Sequence, residues 1–187
     1  MSDIVPKAKR SEMMANIKAK NTRPELFIRT GLHRMGFRFR LHPPNLPGKP
    51  DIVLPRFRSV IFVNGCFWHY HRCHLFKLPS TRTEFWRKKL SGNRERDLAT
   101  WNELLNEGWN VLVIWECAMK GKYRRDSDEL LHNIADWLKK NEPDPENEIV
   151  KLPRYDELGS LEQGISPSGC KKGTRTGRGR STHLEPT

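Results

Sequence analysis

Three soft metal ligands fall within eight residues, as Cys66-x4-His71-x-Cys73, and this spacing constrains the chain more than any other feature. Cys117 follows a segment with strand character, so a fourth ligand would arrive from a separate element. Three cysteines and one histidine are a standard structural zinc set, and a complete tetrahedron leaves no open position for catalysis. Spacing does not decide which histidine closes the set, because His69, His71 and His74 all compete. Cys117 could instead be a small core residue. Cys170 stands apart and is given no role. The segment Met1–Arg10 is polar and lacks an apolar run, unlike a secretory signal. A reduced, cytoplasmic setting is therefore expected, where clustered cysteines serve metals rather than disulfides.

Around this loop the pattern reads as an α/β domain. Ser11 starts a short helix to about Lys20 that carries Met13, Met14 and Ile17. Thr22-Arg23-Pro24-Glu25 is a capping box with proline in the first turn, and Gly36 ends the helix. Leu26, Phe27, Leu32 and Met35 mark its apolar stripe. Strands are expected at Phe37–His42, Asp51–Leu54 and Ser59–Asn64, forming an antiparallel meander. Residues Gly65–Arg82 are irregular. A helix from Glu84 to Glu107 follows, with a potential break at Ser91-Gly92 and an apolar face of Leu98, Trp101, Leu104 and Leu105. A strand at Trp109–Glu116 and a helix at Asp126–Lys140 complete the set. The order implies a mixed central sheet flanked by helices. Residues 1–10 read as a flexible arm, 1–140 as the domain and 141–187 as a mostly disordered tail.

Charge points to the ligand. The chain carries 34 basic and 22 acidic residues, and residues 1–140 hold 27 and 14 of them. The positive excess therefore sits on the fold, where it attracts polyanions, nucleic acid first. No apolar run is long enough to span a membrane.

Two residues suggest hydrolysis. Asp51 follows Pro50 at the start of a strand, where its carboxylate can hold Mg2+ at the sheet edge. The metal would polarise a scissile phosphate, and a nearby His69 could take the proton from an attacking water. An aspartate after proline is, on its own, more commonly a turn residue. Phe67, Trp68 and Tyr70 sit among the candidate metal ligands. A stapled loop could hold them outward as wedges between bases, or they could fill the core beneath it.

Longer stretches carry a resemblance. They are Gly48-Lys49-Pro50-Asp51, Ile61-Phe62-Val63-Asn64-Gly65-Cys66-Phe67-Trp68-His69 and Thr81-Arg82-Thr83-Glu84-Phe85-Trp86, then Asn93-x-x-Arg96-Asp97 and Gly108-Trp109-x-Val111-Leu112-x-Ile114-Trp115-Glu116-Cys117. Over about residues 9–140 the chain resembles the very short patch repair (Vsr) endonucleases. The resemblance implies a fold like the type II restriction endonucleases. It implies a Mg2+-dependent nick 5′ of the thymine in a T·G mismatch, which arises from deaminated 5-methylcytosine. Asp51 and the backbone carbonyl of Val63 would bind Mg2+, His69 would be the catalytic histidine, and Glu25 would lie near the site as well as capping its helix. Cys66, His71, Cys73 and Cys117 would bind zinc. Phe67, Trp68 and Trp86 would intercalate from the major groove, with Met14 and Ile17 approaching from the minor groove. A monomer acting beside a MutL-type repair protein is expected. Asn64 departs from the pattern, since well-known members carry histidine there; asparagine donates a hydrogen bond but holds no proton charge. The Glu-x-Lys common in restriction enzymes is replaced by Val63-Asn64-Gly65, as in the Vsr family. A nuclease of other specificity and a non-catalytic zinc-containing DNA-binding module are the competing readings.

Overall fold

The computed structural model describes residues 6–15, 20–140 and 149–152. Helix α1 spans Lys7–Ala15 and α2 Arg23–Arg34, followed by strands β1 (Arg40–Leu41), β2 (Ile52–Leu54) and β3 (Ser59–Asn64). Helix α3 (Thr83–Asn106), strand β4 (Asn110–Trp115), helix α4 (Ser127–Lys140) and strand β5 (Ile149–Leu152) follow among the described residues. The strands form one mixed sheet in the order β1-β2-β3-β4-β5. The first three are the antiparallel meander expected from sequence, whereas β3, β4 and β5 are parallel.

Both faces of the sheet are covered, which explains the continuous apolar character of β3 and β4. Ile52, Leu54, Ile61, Leu112 and Ile114 face Ile28 and Leu32 of α2 and Leu130, Ile134 and Leu138 of α4. The alternate residues Val53, Val60, Phe62, Val111, Val113 and Trp115 face Trp101 and Leu104 of α3. Gly31 lets α2 and α4 approach closely: a Cβ there would fall 2.4 Å from Leu131 Cδ2.

Several boundaries differ from the sequence reading. Helix α1 begins at Lys7, so Ser11 lies inside it rather than capping it, and Ile17 lies outside the described residues. The capping box forms as expected: the Glu25 amide donates to Thr22 Oγ1 and the Thr22 amide donates to Glu25 Oε1. The buried stripe of α2, however, runs through Ile28 and Leu32, while Leu26 is 48% exposed and Met35 37% exposed. The strand expected over residues 37–42 shrinks to Arg40–Leu41, because β2 offers only three residues to pair with and Phe37 turns into the core against Phe57. Helix α3 is unbroken at Ser91-Gly92, since Gly92 faces open space and costs only its weak helix propensity. Its buried residues are Leu90, Trp101 and Leu104, while Leu98 is exposed. The segment read as a tail contributes β5, so the sheet extends past residue 140; the remainder of 141–187 lies outside the described residues.

Parallel pairing of β3 with β4 positions the site. Asn64 pairs with Trp115, so both strands leave the sheet at the same end. Residues 65–73 and 116–118 therefore emerge side by side, in the crevice beyond the carboxyl ends of parallel strands where α/β sheets commonly bind ligands.

Candidate active site and metal cluster

A cavity of about 740 Å³ opens at this end of the sheet, lined by Glu25, His42, Asp51, Val63, Asn64, Trp68, His69 and Asp97, with Lys20 and Lys49 also on its wall. Four of the residues singled out for catalysis, Glu25, Asp51, Asn64 and His69, thus share one cavity, and Val63 adjoins them. Asp51 stands one residue before β2, and its Oδ2 accepts the Val63 amide at 2.7 Å. Burial pushes its carboxyl up from 3.8 to about 6, against the opposing pull of that amide. Glu25 is 2% exposed and accepts from Arg29 Nη2 at 2.7 Å and from the Asn21 amide at 2.9 Å.

His42 stands between the two carboxylates, with Nε2 3.8 Å from Glu25 and Nδ1 3.6 Å from Asp51. Ligand atoms of Glu25, His42 and Asp51 all lie within 4.8 Å of one another. Burial, followed by the charge of Arg29, holds the His42 imidazole below its ordinary range.

His69 approaches from the loop after β3. Its Nδ1 lies 2.7 Å from Asp97 Oδ2 on α3. The carboxylate accepts, so Nδ1 carries the proton and Nε2 is left as a base. Asn93, one helical turn earlier, donates to the Trp68 carbonyl at 2.8 Å and ties the same loop to α3.

Cys66, His71, Cys73 and Cys117 converge, their ligand atoms within 4.8 Å of one another. His71 is the histidine that joins the cysteines: its Nδ1 lies 3.4 Å from Cys66 Sγ and 3.6 Å from Cys117 Sγ. His74 lies against Tyr123 instead, and His69 is engaged by Asp97. The neighbouring Cys117 thiol and burial push the Cys66 thiol up, which a metal would relieve by binding thiolates. His71 stacks on Trp115 with ring centroids 4.2 Å apart.

The sequence comparisons now bear on this arrangement. A family model described as DNA mismatch endonuclease Vsr matches residues 2–75. Over 138 residues the chain is 42% identical to the DNA mismatch endonuclease Vsr of Escherichia coli K12, covering 74% of this chain and 88% of that protein. The chain belongs to the Vsr DNA mismatch endonuclease family. It is also 46% identical over 119 residues to the type II nicking enzyme V.XorIIP of Xanthomonas oryzae pv. oryzae, covering 64% of this chain and 88% of that one. A third relative is the type II nicking enzyme V.NmeAIP of Neisseria meningitidis serogroup A, 41% identical over 138 residues, covering 73% of this chain and 99% of that one.

In this Vsr family member the aromatic residues form a cluster of their own. Phe67 meets Trp68, Trp86 and Phe76 at centroid distances of 5.0, 5.5 and 6.3 Å. Phe67, Trp68 and Trp86 are half-buried, and they belong to neither core cluster. Lys89 Nζ sits 5.7 Å from the Trp68 ring and 5.6 Å from that of Trp86. Met14 lies on α1. Among the described residues no helix is long and apolar enough to cross a membrane.

Sequence reasoning gave no site role to three residues, Arg29, Asp97 and His42, although Asp97 stands in one of the stretches that carry the resemblance. Arg29 follows Glu25 by four residues and Asp97 follows Asn93 by four, the spacing that puts two side chains on one helix face. That signal was available. His42 had none, since it lies in a short turn at positive φ (44°).

Proposed function

We propose that the chain is a Mg2+-dependent, strand-specific DNA endonuclease that nicks 5′ of the thymine in a T·G mismatch and so begins short-patch repair of deaminated 5-methylcytosine. The observation that carries this reading is the meeting, in one cavity, of the Asp51 and Glu25 carboxylates with the His69–Asp97 pair, His69 following Phe67 and Trp68 on the loop after β3. The relatives named as a mismatch endonuclease and as nicking enzymes support it. A type II restriction endonuclease-like scaffold fits the mixed sheet with carboxylates at one end.

Asp51 and the Val63 carbonyl would hold Mg2+, with Glu25 nearby. The donors are hard oxygens, and the ion-pair neighbour of the half-buried Asp51 among the described residues is His42 rather than a lysine or arginine. Bound Mg2+ supplies charge that offsets the phosphate and the leaving oxygen. His69 accepts the water proton on Nε2 as one P–O bond forms and another breaks, while Asp97 fixes the imidazole through Nδ1. Asn64, buried on the cavity wall, replaces a charged donor with a neutral amide. Lys20 and Lys49 provide positive charge for the DNA backbone.

Zinc fits the sulfur cluster. Bond lengths of about 2.3 Å to sulfur and about 2.05 Å to nitrogen imply a tetrahedral N–S edge of roughly 3.6 Å. The two measured edges are 3.4 and 3.6 Å. Phe67 and Trp68, on the loop that the metal fastens, and Trp86, on α3, act as the wedge beside the mismatch, with Met14 and Ile17 approaching from the minor groove.

The test is a duplex carrying one T·G pair, incubated with Mg2+ beside matched and other-mismatch duplexes. Selective nicking of the thymine strand, lost in Asp51→Ala, is expected. Equal cutting of the matched duplex would overturn the specificity, and binding without cutting would overturn the chemistry.

A further inference from the structure

Glu25, His42 and Asp51 lie close enough to pass for a metal-binding triad. Their hydrogen bonding argues for a different arrangement. Arg29 Nη2 lies 2.7 Å from His42 Nε2. A guanidinium only donates, so Nε2 must accept and the ring proton must sit on Nδ1. The Nε2–H tautomer would point two donors at each other across that distance. Arg29 has little freedom to withdraw. The same Nη2 donates to Glu25 Oε2 at 2.7 Å, Nη1 donates to Asn21 Oδ1 at 2.6 Å, and the residue is 7% exposed. Both imidazole nitrogens of His42 are therefore committed, one as acceptor and one as N–H. The N–H faces Asp51 Oδ1 at 3.6 Å, while Asp51 Oδ2 is held by the Val63 amide.

We propose that His42 is not a metal ligand but a positioning residue, which Arg29 locks as the Nδ1–H tautomer so that it orients the Asp51 carboxylate. This inference rests on the reading of Asp51 as the Mg2+ ligand. At 3.6 Å the contact is longer than a formed hydrogen bond, so in this arrangement the N–H acts on the carboxylate by electrostatic attraction. Partners of this kind hold a ligating carboxylate in one plane, and losing them typically weakens metal binding by about 10- to 100-fold. Glutamine is the informative replacement. One amide can accept from Arg29 through Oε1 and donate toward Asp51 through Nε2.

The test uses the full chain with Asp51→Ala, His42→Ala and His42→Gln. Three quantities are measured: Mg2+ binding to the DNA-free protein by calorimetry, the Mg2+ concentration for half-maximal nicking, and DNA affinity without Mg2+. His42→Ala is expected to raise both Mg2+ quantities about 10- to 100-fold and leave metal-free DNA affinity unchanged. His42→Gln is expected to recover most of that loss. Nitrogen-15 spectra of the wild-type imidazoles should show His42 protonated on Nδ1. A proton on Nε2, a glutamine variant no better than alanine, or an alanine variant that binds Mg2+ like wild type would overturn the proposal. If Asp51→Ala itself bound Mg2+ and nicked normally, the parent reading of Asp51 would be the one to fail.

Discussion

Replacing Asp51 with asparagine should stabilise the protein while abolishing its activity. The folded chain raises the Asp51 carboxyl from 3.8 to about 6, with burial as the main cause. Its ionised form is thus the disfavoured one. Below pH 3.8 the carboxyl is protonated whether the chain is folded or not, and its contribution to stability is whole. As pH rises toward about 6 the unfolded chain loses this proton first, so stability falls. Above that value the full penalty applies, at most about 3 kcal/mol for a gap of this size. The side chain is only 17% exposed, so solvent screens little of it. Asparagine removes the penalty but accepts the Val63 amide more weakly than a carboxylate does, which takes back about 1 kcal/mol. A net gain of about 1–2 kcal/mol at pH 8 would raise the melting temperature by roughly 3–6 °C. Thermal melts without added Mg2+ should show that gap shrinking as pH is lowered from 8 toward 4. Added Mg2+ should stabilise wild type and leave Asp51→Asn unmoved. A variant no more stable than wild type at pH 8, or a gap that persists unchanged at pH 4, would refute the reasoning.

Three further outcomes are expected. Cys117→Ala should lose bound zinc and most of its folded population, because structural zinc contributes folding energy directly; metal content and circular dichroism check this. Trp68→Ala should melt within a few degrees of wild type yet bind a T·G duplex about 5- to 150-fold more weakly, the range expected for one stacked base; fluorescence titration and calorimetry separate the two effects. Asp97→Asn should lower single-turnover nicking by about 10²- to 10⁴-fold with DNA affinity kept, since His69 loses the group that fixes its tautomer.

The sheet was largely legible because its signals are local. Val60–Val63 and Val111–Trp115 are continuous apolar runs bounded by turns, and Thr22 and Glu25 announce the start of α2. The candidate metal cluster was legible through its spacing, which left three histidines open; the resemblance pointed to His71, and the coordinates bring that histidine to the cysteines. Spacing fixes neither ring direction nor reach, and only in three dimensions does His69 turn to Asp97 and His74 to Tyr123. What escaped was set by tertiary contact. Phe37 leaves the expected strand because the core takes its ring, and Leu26 sits on the exposed side of a helix whose stripe is defined by Ile28. His42 became visible only when Arg29 and Asp51 closed around it from separate elements.

Phe67, Trp68 and His69 lie on the one short loop between Cys66 and His71. Two of the rings proposed to test the duplex and the imidazole proposed to cut it are therefore carried on one loop. Under that proposal, a duplex that refused those rings would hold the base off its phosphate. Recognition would then double as a safety catch, sparing undamaged DNA without any separate sensor having to report.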